Sequence, residues 1–398
     1  MEKEKRDRAA ELVSRAASER ILASGTDSDA KALEIIEECA LDTLEELSAG
    51  EIGEVVKRVY GRLRGSLGIL SGLLENDRIN EIMVNGPDSV FVEIGDRLVK
   101  TCESFDSAEE LEGVIRRIAS SVHREINDLE PILDARLPDG SRVHAVLKNV
   151  AIGGPVLTVR KFRRNRITMD DMVRSGSLTE ECAAALKNYV ECGYNIFVSG
   201  GTSTGKTTFL NALADYIPPA ERVITIEDSA ELQMDVISDL VRLECRNANS
   251  TGRGTVTMGM LIKASLRMRP DRIIVGEVRG EEVRDMLQAL NTGHSGMSTG
   301  HGNSSSGMLR RLEAMYLQGA DVPIDAIRAQ ISEAIDLMVQ LVRLPDGRRR
   351  VVSIDEIAGI EEGRYRINRL FEMNGEGKLE ATGRKLENDL REKIRRIV

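Results

Sequence analysis

The chain has 398 residues, of which 41% are hydrophobic and 30% charged, and its 65 acidic and 55 basic side chains give a formal net charge of -10. This length suffices for two or three domains, and no apolar run approaches the roughly 20 residues of a membrane-spanning helix. The acidic balance disfavours a protein whose main task is to coat nucleic acid, because that affinity comes largely from Lys and Arg neutralising phosphates.

The amino terminus is charged and lacks the apolar core of a signal peptide, so we expect a cytoplasmic protein that reaches the membrane only through a partner. The five cysteines are scattered singly, which is typical of idle thiols in a reducing compartment. Their spacing also argues against a four-cysteine zinc module.

Residues 1–70 are charged, and their apolar positions recur at helical intervals. Gly25 and Gly50 are predicted breaks between helices. We expect an N-terminal helical segment that docks on the rest of the chain or on a partner, and its sequence does not indicate a function.

Residues 71–162 are predicted to form an α+β domain. A helix is expected at 111–122, because apolar residues there follow helical spacing. Strands are expected at 79–84, 90–94, 132–137, 142–146 and 156–159, the first two as a hairpin around the turn residues 85–88. A basic stretch at 160–164 then leads into a polar linker, 163–180.

Residues 181–398 are predicted to form an α/β domain with a mainly parallel sheet, because strands and helices alternate along it. The strands are expected at 194–198, 222–226, 272–275 and 297–300, and the helices at 257–267, 281–290, 305–317 and 323–335. Near the end, 337–344 and 351–357 flank Pro345, Asp346 and Gly347 and predict a β-hairpin.

A phosphate-binding loop follows the first of these strands and precedes a helix. Its residues are Gly200, Gly201, Thr202, Ser203, Thr204, Gly205, Lys206 and Thr207. The glycines let backbone NH groups approach phosphate, the lysine suits the β- and γ-phosphates, and the threonine hydroxyl suits Mg²⁺. The order of strand, glycine loop and helix therefore predicts ATP and Mg²⁺ as ligands.

Two acidic clusters also follow strands of this domain. Glu277 comes after the strand at 272–275, and Glu227, Asp228 and Glu231 come after the strand at 222–226. Ligands of open α/β sheets lie at the carboxyl ends of strands, so we expect these carboxylates to face the nucleotide. Gly276 stands where an aspartate is commoner, which suggests metal contact that is indirect or made through water. The alternative for each cluster is a solvated helix cap.

Two of the four histidines lie in the glycine-rich segment 292–303. We expect His294 and His301 to be neutral imidazoles that hydrogen-bond phosphate, water or a carboxylate. The segment is equally typical of a flexible loop with polar tips.

Four ordered stretches together resemble the secretion ATPase superfamily of type II and type IV secretion. They are the loop with Thr208 at 200–208, the acidic box at 226–231, the stretch 266–280 with Glu277 and Arg279, and the histidine box at 292–303. The stretches 79–86 and 137–144 are most similar to the CpaF/TadA-type ATPases of Flp pilus assembly. The resemblance covers residues 66–360, and the missing zinc cysteines speak against the type II branch.

The resemblance implies a homo-oligomer, a hexameric ring, whose subunits carry a PAS-like α+β domain and a RecA-like domain with ATP bound between them. It makes Lys206 and Thr207 ligands of phosphate and Mg²⁺, Glu277 the catalytic carboxylate, and Glu231 a support for metal or water. Arg142 and Arg160 match arginines of the N-terminal domain that reach the phosphates. Their alternative roles are surface charge or a subunit contact.

We therefore expect a cytoplasmic, Mg²⁺-dependent ATPase motor that powers assembly of a Flp or type IV-like pilus, or type II/IV secretion, by ATP-driven domain closure. Its partner would be an inner-membrane pilus or secretion platform, with no direct nucleic-acid contact. Two alternatives stay open: a nucleotide-gated scaffold with negligible turnover, and a RecA-like nucleic-acid motor.

Overall fold

The computed structural model describes residues 3–26, 28–44, 47–63, 67–95, 97–162, 166–246 and 254–395. The chain divides into two compact units, Met1–Arg164 and Asn165–Val398. The mixed α/β class is confirmed. The status of residues 1–70 as a separate domain stays a prediction. Among the described residues, no helix combines the length and apolar character needed to cross a membrane.

The first unit begins with three helices, α1 (Lys3–Ser24), α2 (Asp29–Thr43) and α3 (Ala49–Leu63). They bury a shared apolar core that includes Val13, Ile36 and Val55. Gly25 ends α1 with a φ of +60°, as expected of a helix-terminating glycine. The break predicted at Gly50 is wrong, because α3 starts one residue earlier and the helices separate upstream of it.

The rest of the first unit is an antiparallel sheet with helices. A 3₁₀ turn (Gly68–Leu70) and α4 (Ser71–Glu75) lead into it, and α5 (Ala108–Ser121) packs its apolar face on it. The strands are β1 (Ile79–Asn85), β2 (Val90–Ile94), β3 (Arg97–Lys100), β4 (Ile132–Arg136), β5 (Arg142–Val146) and β6 (Val156–Arg160), in the order β3-β2-β1-β6-β5-β4. The predicted hairpin of the first two strands is confirmed. Of the predicted basic stretch 160–164, residues 163–164 lie outside the described ranges.

The second unit is built on a nine-stranded sheet. Its strands are β7 (Ile196–Gly200), β8 (Val223–Glu227), β9 (Leu240–Glu244), β10 (Arg272–Val275), β11 (Ser295–His301), β12 (Leu337–Arg343), β13 (Arg349–Glu361), β14 (Arg364–Met373) and β15 (Leu379–Ala381). Their order is β15-β14-β13-β12-β7-β11-β10-β8-β9. The run from β12 to β9 is parallel, and β13 to β15 extend it in antiparallel fashion.

Helices cover both faces of this sheet. They are α6 (Met169–Arg174), α7 (Glu180–Glu191), α8 (Lys206–Ala214), α9 (Met258–Ser265), α10 (Glu282–Asn291), α11 (Ser305–Gly319), α12 (Ile324–Ala334) and α13 (Leu390–Arg395). Successive strand residues point to opposite faces, so Ile196 and Val198 join one core with α7 and α8, while Phe197 joins the other with α10 and α11. Residues 166–180, expected to be a polar connector, include α6, whose Met169 and Met172 lie in the first of these cores.

Candidate active site

Four parallel strands of the second unit end at one edge of the sheet. The backbone pairs Gly200 at the end of β7 with His301 at the end of β11, and Ile226 of β8 with Val275 of β10. The glycine loop, both acidic clusters and the second histidine therefore follow neighbouring strand ends. This is the edge at which open α/β sheets bind ligands.

The glycine loop has the tight backbone that phosphate binding requires. A Cβ on Gly200 would lie 2.5 Å from Oγ1 of Thr204, which itself donates to the carbonyl of Gly201 at 2.9 Å. Gly205 adopts a φ of +89° as the N-cap residue of α8, and as a glycine it offers no side chain to the NH groups of that helix. These NH groups, with the hydroxyl of Thr207 in the first turn, fit a nucleotide phosphate and its Mg²⁺. Thr208 follows in the same turn.

Lys206 is 7% exposed and lies over the loop. Its Nζ donates to the carbonyl of Gly201 at 3.1 Å and lies 3.3 Å from Nδ1 of His301. An ammonium group only donates, so Nδ1 accepts and the imidazole proton resides on Nε2. Burial lowers the pKa of Lys206, and the charge of Glu277 partly offsets this effect. Burial, followed by the positive charge of Lys206, lowers the pKa of His301 and favours the neutral imidazole.

Glu277 joins this histidine to an arginine. Nε2 of His301 lies 2.7 Å from Oε1 of Glu277, and Nη2 of Arg279 donates to Oε2 at 3.0 Å. Burial raises the pKa of Glu277, but the hydrogen bond and charge of Arg279, with His301 and Lys206, outweigh it and leave the pKa below its ordinary value. The carboxylate is therefore ionised at neutral pH and held between cationic and polar groups.

The second acidic cluster lies around the same arginine. Oδ2 of Asp228 is 3.8 Å from Nη1 of Arg279, and the pKa of Arg279 is raised first by its hydrogen bond to Glu277 and further by Asp228 and Glu231. Glu227 is 3% exposed, and its Oε1 accepts from the backbone NH groups of Glu231 and Leu232 at 2.8 and 2.9 Å. The cluster thus separates into a buried carboxylate and two that face Arg279.

Burial raises the pKa of Glu227 to about 7, and its buried Oε2 has no hydrogen-bond partner among the described residues. Gly276 explains how this side chain fits, because a Cβ there would lie 3.0 Å from Cγ of Glu227. The glycine that departs from the commoner aspartate therefore makes room for a carboxyl group delivered by the neighbouring strand.

The structure does not bring His294 to this site. It precedes β11, whereas His301 ends it, so the two are separated by about 20 Å along the strand. Nδ1 of His294 lies 3.2 Å from both Oγ1 of Thr292 and the carbonyl of Ala289, near the end of α10. The histidine box thus includes strand β11, with His294 before its first residue and away from the glycine loop, and His301 at its last residue and next to the loop.

Arg142 and Arg160 belong to the first unit, where they stand directly opposite each other on β5 and β6. Arg136 on β4 is the next cross-strand neighbour of Arg142, and Glu81 on β1 that of Arg160. Like charges directly opposite destabilise a sheet unless an anion compensates them. The sequence alone did not indicate that the two arginines are neighbours.

Two further residues lie near the loop but belong to none of the motifs found in the sequence. Nε2 of Gln340 on β12 donates to the carbonyl of Gly302 at 3.1 Å, next to His301. Nε of Arg349 on β13 donates to the carbonyl of Ser203 at 3.0 Å. Both come from the hairpin β12–β13, which the sequence places more than 130 residues after the loop. Only the strand order β13-β12-β7 brings them there.

Residues 65–388 match the protein family described as "Type II/IV secretion system protein". The chain belongs to this family. The predicted resemblance to the secretion ATPases of type II and type IV secretion is thereby confirmed at the level of the superfamily. The narrower assignment to the CpaF/TadA-type branch stays a prediction.

Relatives in the family cover most of the chain. A putative conjugal transfer protein of Mycobacterium tuberculosis is 36% identical over 307 residues, which are 75% of this chain and 86% of the relative. A probable conjugal transfer protein TrbB of Sinorhizobium fredii is 35% identical over 316 residues, 78% of this chain and 93% of the relative. The solved ATPase DotB of Yersinia pseudotuberculosis is similar in fold, with a TM-score of 0.52 at 18% identity over 72% of this chain and 76% of that chain.

Proposed function

We propose that this protein is a Mg²⁺-dependent ATPase of the secretion and pilus-assembly type, with a RecA-like domain in residues 181–398 and a PAS-like domain in 71–162. The observation that carries the proposal is the continuous polar path from Lys206 through His301 to Glu277 at the carboxyl edge of the sheet. It joins a phosphate-binding lysine to an ionised carboxylate, which are the two groups that ATP hydrolysis requires at neighbouring positions.

Each residue of the path has a distinct task. Lys206 and the loop NH groups bind the phosphates, and Thr207 with Glu231 would hold Mg²⁺, which supplies charge neutralisation when bound. Glu277 orients the attacking water. Its lowered pKa makes it a weak base, which suffices because phosphoryl transfer passes through a loose transition state that needs little proton abstraction. His301, whose Nε2 lies 2.7 Å from Oε1 of Glu277, packs against this carboxylate and limits its movement.

The proposal also assigns a role to two arginines of the first unit. Arg142 and Arg160 form a pair of adjacent positive charges, and such a pair is suited to contact an anionic phosphate. If they reach the nucleotide, ATP favours a closed arrangement of the two units and hydrolysis releases it. We propose that this cycle operates in a hexameric ring located in the cytoplasm and attached to an inner-membrane pilus or secretion platform.

The experiment that tests the ATPase is phosphate release by the purified full-length chain with MgATP, compared with Lys206→Ala. We expect steady turnover by the wild type and loss of at least about a hundredfold in the variant, because the lysine holds the transferred phosphoryl group. A wild type that binds ATP without releasing phosphate, also when lipid or platform protein is added, would instead support the scaffold. Turnover that requires DNA would support the nucleic-acid motor.

A further inference from the structure

The turn between β12 and β13 reaches back to the glycine loop. Arg349, the first residue of β13, donates from Nε to the carbonyl of Ser203 at 3.0 Å. Ser203 is the only residue of the loop other than glycine with a positive φ, +59°. A side chain disfavours this left-handed conformation, so the loop needs an external contact to keep it.

The stem of the same arginine packs on the end of the loop. A Cβ on Gly205 would lie 3.1 Å from Cδ of Arg349, and Gly205 has a φ of +89°. Arg349 therefore touches both left-handed residues of the loop, one through a directed hydrogen bond and the other through its aliphatic chain. These residues set the direction of the NH groups that precede α8.

We propose that Arg349 is a positioning residue that holds the glycine loop in its phosphate-binding conformation before nucleotide arrives. The inference rests on the proposed function and deepens it. A preformed loop lowers the ordering cost of binding, so Arg349 strengthens binding of every ligand that places a phosphate in the loop. It does so through Ser203 and Gly205, and it does not distinguish a diphosphate from a triphosphate.

The next residue provides a matched control. Nη1 of Arg350 donates to the carbonyl of Ser175 at 3.0 Å, and its guanidinium lies over Gly176, so it serves the connection between α6 and α7. Arg349 and Arg350 share charge, strand and size, but only the first contacts the loop. Replacing each in turn separates loop positioning from general support of the hairpin.

The test measures binding of ADP and of a non-hydrolysable ATP analogue, both with Mg²⁺, to the full-length chain. We expect Arg349→Ala to raise both dissociation constants by a similar factor of about ten, the worth of one hydrogen bond from a charged donor. Arg350→Ala should bind both nucleotides like the wild type, and the two variants should melt at similar temperatures without nucleotide. Arg349→Lys should not recover full affinity, because an ammonium group does not reproduce the directed Nε bond.

Three results would overturn the inference while leaving the proposed function intact. They are unchanged binding by Arg349→Ala, a loss confined to the triphosphate analogue, which would indicate direct contact with the γ-phosphate, and full recovery by Arg349→Lys, which would indicate charge alone. A wild type that binds neither nucleotide would overturn the proposed function itself, and the inference with it.

Discussion

Among the single residues of the site, Glu227 is unusual because its carboxyl group is buried, whereas most acidic side chains are exposed to solvent. The carboxyl group is buried beneath the strand ends, accepts two backbone NH groups through Oε1, and has its pKa raised to about 7 by that burial. The unfolded chain releases the same proton near the ordinary value of 4.5. The folded protein therefore keeps the proton over a range in which the unfolded chain has lost it.

This difference predicts a pH dependence of stability. The contribution of Glu227 to the free energy of unfolding should fall by roughly 3 kcal/mol as the pH rises from about 4.5 to about 7, since the raised pKa makes ionisation costly only in the folded state. Glu227→Gln should remove that contribution, so the stability of the wild type relative to the variant should fall as the pH rises. Urea unfolding at pH 5 and pH 8 measures the free energy of unfolding of both proteins. Glu333→Gln, at an exposed position, is the control and should behave like the wild type. Equal pH dependence in wild type and Glu227→Gln would contradict the account.

The sequence indicated the position of a side chain relative to the site only where a motif follows a predicted strand. Lys206, Glu277 and His301 converge because their strands are parallel neighbours. The alternation of strands and helices indicated a parallel sheet, but not the order of its strands. Arg349 was not predictable, because its contact with Ser203 depends on the register of a hairpin far along the chain. The separation of His294 from His301 follows from the length of β11, which extends beyond the predicted 297–300.

Among the secondary-structure elements, the apolar strands were predictable and the polar edge strands were not. β8, β10 and β11 have continuous buried runs, whereas β9 and β14 alternate charged with apolar residues and lie toward the sheet edges. Such strands gain their stability from pairing with a neighbour that the sequence does not show. The hairpin predicted from 337–344 and 351–357 is confirmed, with β13 longer at both ends.

Asp355 links three of these elements and predicts a large effect on stability. It is fully buried on β13 and accepts hydrogen bonds from Ser305 on α11, Ser353 on β13 and Arg369 on β14. Asp355→Ala should lower the free energy of unfolding by about 2–4 kcal/mol, because it leaves the buried hydroxyls of Ser305 and Ser353 without their acceptor, at a cost of roughly 1–3 kcal/mol each. Chemical denaturation measures this loss.

Glu372 offers the matched control, because it pairs with the same arginine at the surface. Glu372→Ala should cost only about 0–1 kcal/mol, the usual worth of an exposed ion pair. Similar losses in both variants would show that Asp355 does not join the elements as described.

At the scale of the whole molecule, each unit carries residues that we propose as phosphate ligands. The second unit holds the loop, Lys206 and Glu277, and the first holds the cross-strand pair Arg142 and Arg160. The domain bounds expected from the sequence, 71–162 and 181–398 with a linker at 163–180, stay a prediction. Closure of the units on nucleotide and the ring assembly stay predictions.

The arginine pair predicts a specific kinetic result. Arg142→Ala and Arg160→Ala should each lower kcat/KM for ATP by at least about tenfold, because each would remove one of the proposed charge-assisted contacts to phosphate. Arg97→Ala, on the exposed edge strand β3, should leave kcat/KM for ATP unchanged. Steady-state kinetics on full-length proteins of matched purity measure the three values. Normal kinetics in both pair variants would assign Arg142 and Arg160 to surface charge or to a subunit contact.

The most direct test of the central claim is the identity of the nucleotide bound to Glu277→Gln after incubation with MgATP. This variant should retain ATP, because Lys206 and the loop still bind it, while the side chain proposed to orient water is a neutral amide. Wild type and Glu333→Gln should hold ADP instead. ADP bound to Glu277→Gln at the wild-type level and rate would contradict the assignment of this site as the one that hydrolyses ATP.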